Sequence, residues 1–97
     1  MFRHVVLFRW SPDVDAATRL EAVQALQLWG HQANEYGAVS VGTDAGLREG
    51  NWDVAVVAEF TDPARYESYA ADPRHLAMLA KHITPNAADR AAVQSHL

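Results

Sequence analysis

Arg3-His-Val-Val-Leu-Phe-Arg-Trp10 is the stretch whose reading decides the fold. It is filled with β-branched and aromatic residues and stopped by Ser11-Pro12, the composition of a strand. Alternation predicts one face with His4, Val6, Phe8 and Trp10 and another with Arg3, Val5, Leu7 and Arg9. Both faces are largely apolar, so the strand is expected to be covered on both sides. A second strand, Trp52-Asp-Val-Ala-Val-Val-Ala-Glu-Phe60, fits it by charge. Setting Arg3 opposite Glu59 also sets Arg9 opposite Asp53, because antiparallel partners keep a constant index sum. The same register places His4 against Ala58, Val6 against Val56 and Phe8 against Val54.

The elements around this pair follow from spacing and capping. From about Asp15 to about Asn34, Ala16, Leu20, Val23, Leu26 or Gln27, and Trp29 or Gly30 recur every three to four residues, which predicts a helix with one buried stripe. Asp13 or Asp15 is its expected cap, Gly30 weakens its last turns and Gly37 ends the connection. Val39 to Asp44 reads as a shorter strand, followed by a loop from Ala45 to Asn51. Asp62-Pro63 and Asp72-Pro73 each combine a capping carboxylate with a proline that needs no donor, so two helices are expected from Pro63 to about Ala71 and from Pro73 to about Ile83. The second is expected to bury Leu76, Leu79, Ala80 and Ile83. Thr84-Pro85-Asn86 breaks it, and Arg90 to His96 is read as a fourth strand.

Strand, helix, strand, strand, helix, strand is the split βαβ order of an α+β, ferredoxin-like fold: a four-stranded antiparallel sheet with both helical segments on one face. A single domain over residues 1–97 is expected. At that size the stability margin is thin, and a partner subunit would widen it. The sheet face away from the helices keeps Val5, Leu7, Ala55 and Val57, framed by charges, so a homodimer with its sheets packed face to face is expected.

Composition narrows the function. The chain has no cysteine, which excludes a disulfide frame, a thiolate nucleophile and a cysteine zinc site. A formal charge of −4 without a basic cluster argues against nucleic acid or an anionic membrane as partner. Met1-Phe2-Arg3-His4 runs straight into strand-like sequence, and no apolar run has spanning length, so a soluble, cytoplasmic protein is expected. His31, His82 and His96 are scattered singly and no metal site is expected. The serines lack a nucleophile elbow, and the glycines are spaced for turns instead of a phosphate cradle. Chemistry concentrates instead in Tyr69-Ala-Ala-Asp-Pro-Arg-His75, which sets a phenol and an imidazole across a break between helices. A helix start carries partial positive charge, which disfavours imidazolium and would keep His75 a neutral base. Trp10, Trp29 and Trp52, with Phe8 and Tyr66, are candidates to line an apolar pocket between sheet and helices.

Arg3-His-Val-Val-Leu-Phe, Asp53-Val-Ala-Val-Val-Ala-Glu-Phe60, Tyr69-x-x-Asp-Pro-x-His75 and Ala88-Asp-Arg-Ala-Ala-Val93 together resemble the stress-responsive A/B barrel (Dabb) domain family over nearly the whole chain. The resemblance implies a dimeric α+β barrel. In the family's best understood catalytic member, olivetolic acid cyclase, which closes a linear polyketide by aldol condensation without a cofactor, the motif residues look like His4, Tyr69 and His75. By that resemblance His75 is a general base beside a carbonyl, Tyr69 donates to the forming enolate oxygen, and His4 supports the network. Val6, Phe8, Val56, Tyr66 and Leu79 are the expected walls, the ligand a small apolar carbonyl compound, and the cofactor none. The acid that orients the catalytic histidine in the cyclase falls on Gln94, a neutral amide that would hold the ring less firmly. The alternative expectation is a non-catalytic stress-response protein.

Overall fold

The computed structural model describes all residues, Met1 to Leu97. Its elements are β1 (Phe2–Trp10), α1 (Ala16–Gln32) with a 3₁₀ turn at Ala33–Glu35, β2 (Ala38–Thr43), β3 (Val54–Phe60), α2 (Pro63–Ala71), α3 (Pro73–Met78) running into a π-helical turn at Leu79–Ile83, and β4 (Ala87–His96). The strands form one antiparallel sheet in the order β2-β3-β1-β4. This is the split βαβ order expected from the sequence. Asp15 caps α1 by accepting from the Thr18 amide at 2.8 Å, and Asp62 caps α2 by accepting from the Arg65 amide at 2.9 Å.

The central pair has the register set by charge. Arg3 faces Glu59, His4 faces Ala58, Val6 faces Val56 and Phe8 faces Val54. The Arg3 guanidinium donates to Glu59 Oε1 at 3.0 Å. The second expected ion pair does not form. Regular pairing ends at Val54, and the Asp53 carboxylate turns to accept from the Trp10 amide at 2.8 Å, standing in for the missing ladder partner. Arg9 then lays its guanidinium over the Trp52 ring at 4.2 Å, so Trp52 sits outside the core instead of continuing the Val54, Val56, Ala58, Phe60 face.

The core lies between sheet and helices. Phe2, Val6, Phe8, Trp10, Val54, Val56, Ala58 and Phe60 from the sheet meet Ala22, Val23, Leu26, Trp29, Tyr69, Met78 and Ile83 from the helices. Two stripe assignments need correction. Ala16 and Leu20 are exposed because α1 rolls Ala22, Val23 and Leu26 onto the sheet. Leu76 and Ala80 are exposed: α3 turns Met78 inward in place of Leu76, and the wider π turn that follows carries Ala80 outward while Ile83 stays buried as expected. Gly30 lies inside α1 for space: a Cβ there would sit 3.2 Å from Val39 Cγ1. The need at Gly37 is stricter, since a Cβ would stand 2.2 Å from the Glu59 carbonyl oxygen and 2.7 Å from Phe60 Cδ1.

On the sheet face turned away from the helices, Val5, Leu7, Ala55 and Val57 are half-buried. β4 extends this row: Val93 lies opposite Val5 and Ala91 opposite Leu7, and Val93 is 64% exposed. No helix is long and apolar enough to cross a membrane.

Because the Gly37 contact is with backbone that cannot step aside, Gly37→Ala is expected to cost about 2 kcal/mol by overpacking. The denaturant midpoint should fall accordingly, whereas Gly42→Ala, whose Cβ would meet nothing within 4 Å, should stay near wild type.

Candidate active site

The site is built where α2 hands over to α3. Asp72 lies between them with extended backbone; its amide approaches the Tyr69 carbonyl at 3.4 Å as α2 ends. Its carboxylate then caps α3 by accepting from the Arg74 amide at 2.8 Å. The same buried carboxylate accepts from Arg74 Nε at 3.1 Å, from Arg74 Nη2 at 2.8 Å and from the Tyr36 hydroxyl at 2.8 Å. The Arg74 guanidinium holds it well below the usual carboxylate range. This junction presents Tyr69 and His75 to the same space, with ring centroids 4.8 Å apart.

Trp29, from α1, closes the group. Its indole stacks on the His75 imidazole at 5.4 Å and 23° and lies 5.5 Å from the Tyr69 ring. His4 comes from β1 and packs against Tyr66 at 4.8 Å. His4, Tyr69 and His75 border one cavity of about 80 Å³, together with Val6, Phe8, Val56, Tyr66 and Leu79. The remaining wall is Leu26, Trp29, Val39, Met78 and Arg90. Of the three tryptophans considered from sequence, only Trp29 reaches it; Trp10 is in the core beyond and Trp52 lies under Arg9.

Hydrogen bonding fixes both imidazole tautomers. His75 Nδ1 lies 3.0 Å from the Ala70 carbonyl oxygen. A carbonyl can only accept, so Nδ1 carries the proton and Nε2 keeps its lone pair. The orienting partner of His75 is therefore backbone from the end of α2, not a side chain of the last strand. Gln94 serves the other imidazole: its amide nitrogen is 3.1 Å from His4 Nδ1. That nitrogen can only donate, so His4 Nδ1 accepts and Nε2 bears the proton.

Both imidazoles are held neutral. Burial is the main cause at His75, and the Arg90 charge acts in the same direction, outweighing the Ala70 hydrogen bond and the attraction of Asp72. Burial also leads at His4, followed by the charges of Arg90 and His75. His75 is neutral as expected, but desolvation and not the helix start supplies the main effect. Burial likewise pushes the Tyr69 hydroxyl up, so it remains a donor. The Trp29 indole N–H lies beside that hydroxyl, near enough to favour a phenolate there, yet it is buried without any acceptor at hydrogen-bonding geometry.

Sequence reasoning did not single out Arg90. The signal was parity: once β4 pairs with β1, Arg90 falls opposite Phe8 and Gln94 opposite His4, on the helix-facing side. Met78 lay off the stripe expected for the last helix, and Val39 and Leu26 carry no mark beyond being apolar.

An α+β ferredoxin-like subunit with an aromatic cavity between sheet and helices, and two neutral histidines on its wall, defines the class. Residues 2–96 match the family profile described as the Stress responsive A/B Barrel Domain, and the chain belongs to that family. Among solved structures, a dimeric ferredoxin-like protein of unknown function from Thermobifida fusca YX is 37% identical, with a TM-score of 0.88 over 99% of this chain and 90% of that one. A Dabb family protein from Mesorhizobium loti is 14% identical, with a TM-score of 0.82 over 99% and 95%. A hydroxynitrile lyase from Passiflora edulis is 18% identical, with a TM-score of 0.76 over 99% and 92%. No curated protein matches the chain.

The lowered histidines set a pH dependence. Unfolded histidine titrates near pH 6.5, and a folded value below it means the unfolded chain binds more protons under mildly acidic conditions. Their contribution to stability is complete above about pH 6.5 and is lost as pH falls toward the folded values. The denaturant midpoint should therefore be flat from pH 7 to 8 and drop between pH 6.5 and 5, and the drop should shrink in His4→Gln and His75→Gln. Asp72 acts in a separate window: its depressed carboxyl contributes above about pH 4 and is lost only in stronger acid.

Proposed function

We propose that this protein binds a small, largely apolar carbonyl compound in the cavity and catalyses proton transfer at the carbon beside the carbonyl. The observation that carries this reading is one wall holding a lone-pair nitrogen, His75 Nε2, and two donors with no protein acceptor, Tyr69 Oη–H and Trp29 Nε1–H. His75 Nε2 removes the proton. The C–H electron pair becomes the double bond of an enolate, and the carbonyl π pair moves to oxygen. Tyr69 and Trp29 meet that oxygen as its charge grows, where preorganised donors contribute most. His4 Nε2–H adds a donor from the sheet side. The imidazolium then returns its proton to carbon, and every step is carried by the chain's own side chains. A positioned base contributes typically about 10²–10⁴-fold.

At about 80 Å³ the cavity is far below the ~300–1,000 Å³ of sites that enclose drug-sized ligands. It suits a compact carbonyl skeleton better than an extended polyketide. Butan-2-one in D₂O is a matching probe, with exchange of its α-protons followed by NMR. The protein should accelerate exchange above buffer, His75→Gln should reduce the acceleration about 100-fold or more, and Tyr69→Phe and Trp29→Phe about tenfold or more each. Exchange unchanged by His75→Gln would leave only the alternative, a non-catalytic stress-response protein.

The functional unit in this proposal is a homodimer joined through the open sheet face, with Val5, Leu7, Ala55 and Val57 extended by Ala91 and Val93. The apolar row across three strands supports it, as does the description of the Thermobifida fusca protein as dimeric. Light scattering at micromolar protein should give twice the subunit mass, and Val57→Glu, which buries a charge at the centre of the face, should give the monomer.

A further inference from the structure

Arg90 is the one cation on the cavity wall, and no carboxylate lines that wall. The chain has seven arginines. Arg3 and Arg74 pair with acids. Arg9, Arg19, Arg48 and Arg65 donate to backbone carbonyls. The Arg90 guanidinium alone makes neither an ion pair nor a hydrogen bond. β4 sets it opposite Phe8 on the helix-facing side, and it stands near enough to His4 and His75 for its charge to act on both. It is also exposed, so it marks a point where the cavity meets water.

A guanidinium beside two neutral imidazoles gains nothing from its neighbours, and it works against any protonation of the site. Its planar fork matches a carboxylate bidentately, and such a pair is worth more at the edge of an apolar cavity than in open water. The donors at the other polar group of the wall, Tyr69 and Trp29, call for a neutral or developing-anionic oxygen. The two requirements together describe one molecule. We infer that Arg90 binds a carboxylate and that the ligand of this site is a small keto acid, with its oxo oxygen at Tyr69 and Trp29 and its carboxylate at the Arg90 guanidinium. This rests on the carbonyl reading above and adds the second anchor, which fixes which way round the ligand enters: apolar end inward, acid toward solvent.

Acetoacetate and methyl acetoacetate share the same oxo skeleton and differ in the charge that Arg90 would read, the ester adding one methyl group at the solvent end. By isothermal titration calorimetry, wild-type protein should bind acetoacetate at least about tenfold more tightly than the ester, the range of one charge-assisted hydrogen bond. Arg90→Gln should abolish the preference while leaving the ester's affinity within about twofold. Arg90→Lys, which keeps the charge but not the fork, should fall between. Arg90 holds no partner in the chain, so these variants should keep the wild-type thermal midpoint. Equal affinity for acid and ester in the wild type, a preference that survives Arg90→Gln, or no binding of either probe overturns the inference. Butan-2-one carries no carboxylate, so its exchange tests the underlying reading separately; exchange without acid preference removes the keto acid and leaves the carbonyl chemistry standing.

Discussion

The arrangement depends on the carboxylate of Asp72. Withdrawing a charge from water is costly, and it is tolerated here because Arg74 and Tyr36 supply three side-chain hydrogen bonds between them and the α3 N-terminus supplies a fourth from backbone. The Arg74 guanidinium also lies 5.3 Å from the centre of the Trp29 ring and 3.5 Å from Glu35, so the α2–α3 break is tied to α1 and to the turn that follows it. Tyr69 precedes this clamp by three residues and His75 follows it by three. Their spacing is therefore set by a rigid, capped interruption of the chain instead of a continuous helix, on which residues six apart would point to different sides.

The sheet supplies the other half of the geometry. Two antiparallel pairings meet on β1, so each of its inward residues has fixed neighbours on both sides: His4 lies between Ala58 and Gln94, and Phe8 between Val54 and Arg90. The small side chain of Ala58 leaves room beside His4, and the Gln94 amide sets its tautomer. Polar groups from β1, β4, α1 and the α2–α3 junction thus converge on a cavity whose remaining wall is apolar.

That apolar wall is what tunes the site. Desolvation holds His4 and His75 neutral and Tyr69 protonated, so base and donors coexist at neutral pH without exchanging protons. Asp72 makes no hydrogen bond to His75 and only moderates the effect there through its charge; the proton of that ring is directed by the Ala70 carbonyl. A buried indole N–H without an acceptor costs about 1–3 kcal/mol. Its persistence at Trp29 is understandable if a ligand oxygen completes it.

Local sequence determined much of this protein. Alternation in Arg3 to Trp10, the Arg3–Glu59 pairing and the two Asp-Pro starts were enough to give the topology, the central register and the break that carries Tyr69 and His75, because each is a matter of period, charge or capping among near neighbours. The tertiary structure decided the rest. It moved Asp53 from Arg9 to a backbone amide, turned Met78 inward on α3 and carried Ala80 outward at the π turn, gave Gln94 to His4 and a backbone carbonyl to His75, and brought Arg90 and Trp29 to the cavity. Those outcomes turn on which polar groups burial leaves in want of a partner, and that is fixed only when sheet and helices have closed on each other.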